Sequence, residues 1–111
     1  MAVKDLKYAM LYDVYGSLLS EKQGYALEMY YCDDLSLSEI AEHIGITRQG
    51  VRDQIKHAEE ELDNYEEKLG LAKKNDKLRK ILEEIDRTVS DTEIYQKVKD
   101  LTESANAIID N

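Results

Sequence analysis

Apolar residues recur along this chain of 111 residues in steps of three and four, the period of helices that each bury one face. The first stretch, roughly residues 4–17, places Met10, Leu11, Val14 and Leu18 at helical spacing. Ser20 follows as an N-cap with Gln23 completing a capping box, and a second helix over residues 21–31 draws its apolar surface from Ala26, Leu27, Met29, Tyr30 and Tyr31. Asp33 and Asp34 break it. Ser36 and Glu39 form the next capping box, with Leu35 and Ile40 as a hydrophobic staple. That helix spans residues 37–44, and Gly45 ends it in the left-handed conformation. Ile46 alone separates Gly45 from Thr47, which caps the following helix, while Ile46 and Val51 make a further staple. Two helices joined by a three-residue turn containing glycine have the layout of a helix-turn-helix.

The helix after Thr47 is longer than a minimal motif requires. Val51, Ile55, Ala58, Leu62, Tyr65 and Leu69 step by four and three, a heptad seam that runs to the stop expected at Gly70. Its outer half carries Glu59, Glu60, Glu61, Asp63, Glu66 and Glu67, expected as a solvated face that repels nucleic acid. A loop is expected near residues 72–75. Beyond it, Leu78, Ile81, Leu82 and Ile85 define one more amphipathic helix. Ser90 with Glu93, and Val89 with Ile94, predict a capped and stapled start for a last helix bearing Ile94, Val98, Leu101, Ala105 and Ile108. The expected architecture is all-α, with a helix-turn-helix domain over residues 1–70 and a C-terminal helical extension over residues 71–111.

Composition narrows the class. Zero proline and five glycines argue against an all-β domain, and 42% hydrophobic residues are too many for disorder. No apolar run approaches the roughly 20 residues of a membrane span. The N-terminus, from Met1 through Asp5, has no apolar leader core. One cysteine cannot form an internal disulfide. These features lead us to expect a soluble, cytoplasmic protein.

The net charge is −9, unevenly spread: −3 over residues 1–35, zero over residues 36–58 and −6 over residues 59–111. The one stretch that is not acidic holds Arg48, Arg52 and Lys56 at i, i+4 and i+8, close to one helix face. In a helix-turn-helix the second helix enters the major groove, and residues near its start reach base edges. Those positions are Arg48, Gln49, Arg52 and Asp53, with Lys56 and His57 further along. Arginine reads guanine and glutamine reads adenine through paired hydrogen bonds. Ser36 and Thr47, at helix N-termini, are placed to donate to phosphates. Gly50 admits two readings, a close backbone approach to a partner or a tolerated surface glycine near the helix start.

Residues 20–71 resemble the DNA-binding region 4 of bacterial sigma factors through Ser20-Glu21-Lys22-Gln23, Leu35-Ser36-Leu37-Ser38-Glu39-Ile40-Ala41 and Gly45-Ile46-Thr47-Arg48-Gln49-Gly50-Val51-Arg52. The order of these pieces, followed by His57-Ala58 and the stretch from Tyr65 to Leu71, more narrowly resembles the YlxM family of small bacterial helix-turn-helix proteins. Leu11-Tyr12-Asp13-Val14-Tyr15-Gly16 matches it as well. The resemblance implies a sigma-region-4-like all-α fold. It also implies an accessory or regulatory role in the signal recognition particle pathway, whose genes commonly neighbour those of the family.

Three readings of function stand side by side. One is an accessory protein of that pathway that binds its RNA or a protein component. The second is a dimeric DNA-binding regulator. The third is a helical interaction module that keeps the motif only as a core. The apolar seams exceed what a small motif needs, which leads us to expect a homodimer. Its interface is expected at Leu62, Tyr65 and Leu69 on the long helix. Leu78, Ile81, Leu82 and Ile85 extend it on the next helix, and Ile94, Val98, Leu101 and Ile108 on the last.

Catalytic chemistry has little to build on. His43 and His57 have no Cys or carboxylate at metal-ligand spacing, so no metal site is expected. Cys32 beside Asp33 and Asp34 lacks the basic surroundings of a reactive thiol and is expected as a small buried hydrophobe. No glycine-rich phosphate loop is present. All eight aromatics are tyrosine, with Tyr12, Tyr15, Tyr25 and Tyr30 expected in the core in place of phenylalanine. No enzyme, cofactor or small-molecule substrate is expected.

Overall fold

The computed structural model describes residues 4–110. Part of the N-terminal reading falls on Met1, Ala2 and Val3, which lie outside the described residues, as does Asn111. The fold is all-α: α1 (Leu6–Tyr15), a single 3-10 turn (Gly16–Leu18), α2 (Glu21–Tyr31), α3 (Leu37–Ile44), α4 (Arg48–Leu69), α5 (Leu71–Val89) and α6 (Tyr95–Asp110). It divides into two compact units, one ending at Gly70 and the other beginning at Leu71.

In the first unit, α1, α2 and α3 all pack on α4. The local start and stop signals act as their chemistry requires. Ser20 and Ser36 each accept from the backbone N–H three residues on, and Gln23 and Glu39 reach back to the serine N–H. Gly45 (φ 80°) and Gly70 (φ 62°) end α3 and α4 in the left-handed region, where a Cβ is strained. Ile40, Val51, Ile55, Ala58 and Leu62 fill the core with Leu11, Tyr15, Ala26 and Leu27. Lys4 ties the chain start to the α2–α3 connection. Its Nζ donates to the carbonyls of Tyr30 (2.6 Å) and Leu35 (2.9 Å) and lies 3.1 Å from the carboxylate of Asp34.

Several expectations are corrected. Leu62 lies fully inside this unit's own core, because the α4 seam faces α1 and α2 rather than a second chain. Tyr65 packs its ring 5.8 Å from that of Tyr15. On α1 the inward pair is Leu11 and Tyr15, while Met10, and Leu18 in the 3-10 turn beyond it, are each 54% exposed. Tyr25 is also exposed, and so is Cys32.

In the second unit α5 and α6 pair as a hairpin. No loop intervenes at residues 72–75. Gly70 makes the turn alone, and the helix restarts at Leu71. The Ser90–Glu93 capping box does not form either. The Ser90 hydroxyl donates back to the Arg87 carbonyl at 2.9 Å, closing the end of α5 rather than opening α6. Residues 90–94 turn, and α6 begins at Tyr95. No helix among the described residues is long and apolar enough to cross a membrane.

Candidate nucleic-acid interface

The turn Gly45-Ile46-Thr47 sets the head of α4 beside α3. Thr47 Oγ1 accepts from the Gly50 N–H at 3.0 Å and keeps its own proton for an outside acceptor. Ile46 folds over the same turn. A Cβ added at Gly50 would lie 3.2 Å from Thr47 Oγ1 and 3.4 Å from Ile46 Cδ1. The spacing is tight but not excluding, since Gln23 and Glu39 carry side chains at the same position behind the N-caps Ser20 and Ser36.

Arg48, Gln49 and Arg52 line a shallow concavity of about 360 Å³ with Leu37 of α3. Lys56 continues their row one turn further along α4. All four polar side chains are exposed. Among the described residues, no ion pair engages Arg48, Arg52 or Lys56, so these cations meet solvent with their donors available. Gln49 differs. Its Nε2 donates to Asp53 Oδ1 at 3.0 Å, which engages one of the amide's two N–H donors and holds a carboxylate in the binding row. His57 lies 3.9 Å from Glu60, at the edge of the acidic half of α4.

Ser36 is constrained too. Its backbone N–H donates to Glu39 Oε1 at 3.0 Å, and its hydroxyl oxygen accepts from the Glu39 N–H at 3.1 Å. The bond from the Ser36 N–H, and after it the nearby Ser36 hydroxyl, hold the Glu39 carboxyl below the usual carboxylate range. The α3 N-terminus, where a phosphate was expected, thus already holds an anion belonging to the chain. The capping box itself carries the signal for this, since its glutamate sits at the helix start.

Sequence reasoning also missed the inner face of α4. Glu59, Asp63 and Glu66 are not a solvated row. Each accepts a tyrosine hydroxyl: Tyr31 to Glu59, Tyr8 to Asp63 (2.8 Å) and Tyr15 to Glu66 (2.6 Å). Lys7 adds an ion pair to Asp63 at 3.0 Å. Burial pushes the Glu59 carboxyl upward. Burial, with the carboxylates of Asp13, Glu28 and Asp33, likewise raises the Cys32 thiol, which disfavours its thiolate. Among the described residues no cluster of three or more His, Cys, Asp or Glu side chains is placed to hold a metal ion.

The electrostatic setting of the concavity is adverse at long range. Residues 1–70 carry seven basic and fifteen acidic side chains, so the motif's own unit holds most of the net charge of −9. Attraction to a polyanion has to come from short-range contact with the Arg48–Lys56 row.

Comparison with known proteins places this geometry in a family. Residues 2–102 match the family model described as helix-turn-helix protein, YlxM / p13 like (UPF0122). A UPF0122 protein of Halalkalibacterium halodurans is 41% identical over 108 residues, covering 97% of this chain and 99% of the relative. One from Geobacillus kaustophilus is 41% identical, covering 93% and 98%. One from Caldanaerobacter subterraneus subsp. tengcongensis reaches 54% identity over 76 residues, covering 68% of this chain and 65% of the relative. The family is one of helix-turn-helix proteins rather than of enzymes.

Proposed function

The chain belongs to the UPF0122 family of YlxM/p13-like helix-turn-helix proteins, and on that premise we propose that it is a non-enzymatic accessory protein that binds nucleic acid through its motif. The observation that carries this reading is the concavity at the head of α4, with Arg48 and Arg52 exposed and outside any ion pair described. The likeness to the YlxM group supports a cytoplasmic role in the signal recognition particle pathway, with the particle's RNA or a protein component as partner. A second reading, a DNA-binding regulator, draws support from Arg48 and Gln49 standing in the first turn of α4, the position from which such motifs read base edges. On either reading the active form is a homodimer that presents two motifs.

The expected size of the electrostatic contribution is modest. Three cations neutralise about three phosphates, a salt slope of about −2.7 per motif on duplex DNA. The test is fluorescence anisotropy at low and physiological salt with two probes, the particle's RNA and duplex DNA from upstream of the gene. Selective binding of the RNA supports the particle role, and binding of the duplex above a scrambled control supports the regulator. Replacing Arg48, Arg52 and Lys56 together with alanine should abolish binding to whichever probe responds. Silence with both probes would overturn the nucleic-acid reading and leave the motif as a scaffold for protein contacts.

A further inference from the structure

The C-terminal unit lacks the core that the N-terminal unit has. Among the described residues from Leu71 to Asp110, only Ala72 and Thr102 are buried, and neither is a large apolar side chain. α5 and α6 meet through half-exposed residues such as Leu82 and Val98. Thr102 donates to Asp86 at 2.6 Å, and Arg79 pairs with Asp110. A two-helix hairpin with so little buried is not stable in water by itself. The side chains that would build a core stand in solvent: Leu78, Ile81 and Ile85 on α5, and Ile94, Leu101 and Ile108 on α6, from 40% to 75% exposed.

These six side chains lie on one face. At about 100° per residue, the α5 stripe sits roughly a quarter turn from the row of Leu82 and Asp86 that faces α6. The α6 stripe sits roughly a quarter turn, in the same rotational sense, from the row of Val98 and Thr102 that faces α5. The contacts Arg79–Asp110 and Asp86–Thr102 make the helices antiparallel. Equal rotations on antiparallel helices fall to the same side of the pair. A depression of about 280 Å³ opens along that side between Ile81, Glu84, Ile85 and Thr88.

We infer that this face binds a second copy of the chain, α5 lying antiparallel on the partner's α5 about a two-fold axis near Ile81. Charge singles out the occupant and the direction. Residues 71–80 carry five basic side chains and one acidic; residues 81–89 carry one basic and three acidic. Antiparallel copies set the basic half of each α5 against the acidic half of the other, and a two-fold interface must be self-complementary in this way. Lys77 and Glu84 share the outer rim of the stripe, so Lys77 comes within about one residue of the partner's Glu84, twice per dimer. The two polar interruptions of the stripe, Lys74 and Thr88, fall opposite one another. Covering Leu78, Ile81, Ile85 and Ile108, the four that lie within reach of the two-fold, removes roughly 400 Å² per copy, or about 800 Å² in all, the size of a weak, reversible interface.

This inference specifies the dimer on which the proposed function draws. Its test reads mass and not nucleic acid, so the two can fail separately. In sedimentation equilibrium at micromolar concentration the full chain should weigh twice 12.8 kDa. Ile81→Asp should give the monomer mass. Lys77→Glu and Glu84→Lys, on an exposed rim where folding is not at stake, should each weaken dimerisation about 5-fold or more. The double variant Lys77→Glu/Glu84→Lys should recover to within about 2-fold of wild type. A wild-type mass of 12.8 kDa overturns the proposal. A trimer does too, as does a double variant no tighter than the singles.

Discussion

The hydroxyl of Tyr31, in the last turn of α2, donates its proton to the carboxylate of Glu59 in the middle of α4. Tyr8 does the same to Asp63 and Tyr15 to Glu66. The acceptors step by four and three and so share one face of α4. Tyr15 thus fills a core position and Tyr8 and Tyr31 half-buried ones, and each of these three hydroxyls is answered by a carboxylate. Three of the eight tyrosines and three of the acidic residues on α4 are thus two halves of one packing solution.

Removing one half should be costly. In Tyr31→Phe the ring's packing remains while Glu59, half buried, loses its donor. Hydrogen bonds to charged groups contribute about 1.5–3 kcal/mol, and the partial exposure of Glu59 lets water recover some of that. A loss of ~1–2 kcal/mol by urea denaturation is expected. A change below ~0.3 kcal/mol would mean that water substitutes fully for the phenol.

The same pair sets a pH dependence. Burial raises the folded-state pKa of Glu59 above its unfolded value, although the Tyr31 bond pulls the other way. A raised carboxyl binds its proton more tightly in the folded state. Its contribution is therefore most favourable below the unfolded pKa of ~4.5 and declines as pH rises through the folded value. At pH 7 the ionised, half-buried group is a net cost. Glu59→Gln keeps an acceptor for Tyr31 and removes the charge. It should raise stability at pH 7 by less than ~1 kcal/mol after solvent screening, and flatten the thermal stability curve between pH 5 and 7. Glu39 supplies the opposite sign: its contribution is present above its unfolded pKa and lost as pH falls through the lowered folded value.

What the sequence revealed follows from which forces are local. The two capping boxes, the left-handed stops at Gly45 and Gly70 and the heptad seam of α4 each depend on residues within one or two turns, so their patterns are legible. The failures have tertiary causes. Ser90 looked like a cap because Glu93 lies three residues on, but its hydroxyl closes α5. Leu62 and Leu78 both read as interface residues from periodicity, yet one is fully buried and the other is 43% exposed. Periodicity marks an apolar face without saying what covers it. At the candidate site the cationic row was visible in Arg48, Arg52 and Lys56. The intramolecular claims on Gln49 and on the Ser36 N–H were not, because they depend on which rotamers meet.

Glu39 offers a gain of function. It stands at the start of α3, the helix that crosses the phosphate backbone in motifs of this shape. One negative charge about 7 Å from a phosphate in water opposes binding by ~0.6 kcal/mol. Glu39→Gln preserves an acceptor for the Ser36 N–H and removes that charge. Affinity for the probe that the protein binds should rise about 2–4-fold, and more at low salt than at high salt. An unchanged affinity would place α3 away from the phosphates.

Asp53 poses a sharper question, because it faces the base-reading row and holds Gln49. The bond uses one of the two N–H donors of Gln49 and fixes the orientation of its amide, and the Asp53 carboxylate sits beside any nucleic acid that Gln49 reads. Asp53→Ala removes both obstacles at once. The substitution lies on an exposed helix face, so stability should stay within about 0.5 kcal/mol. Affinity for matched and scrambled duplexes should both rise, since a repulsive charge is lost for either. The ratio between them decides the role of Gln49. A freed amide that pairs with adenine contributes about 1–3 kcal/mol of discrimination, so the matched duplex should gain at least about 5-fold more than the scrambled one. An equal gain for both would assign Gln49 to the motif's surface, and would leave Arg48 and Arg52 to carry any sequence preference.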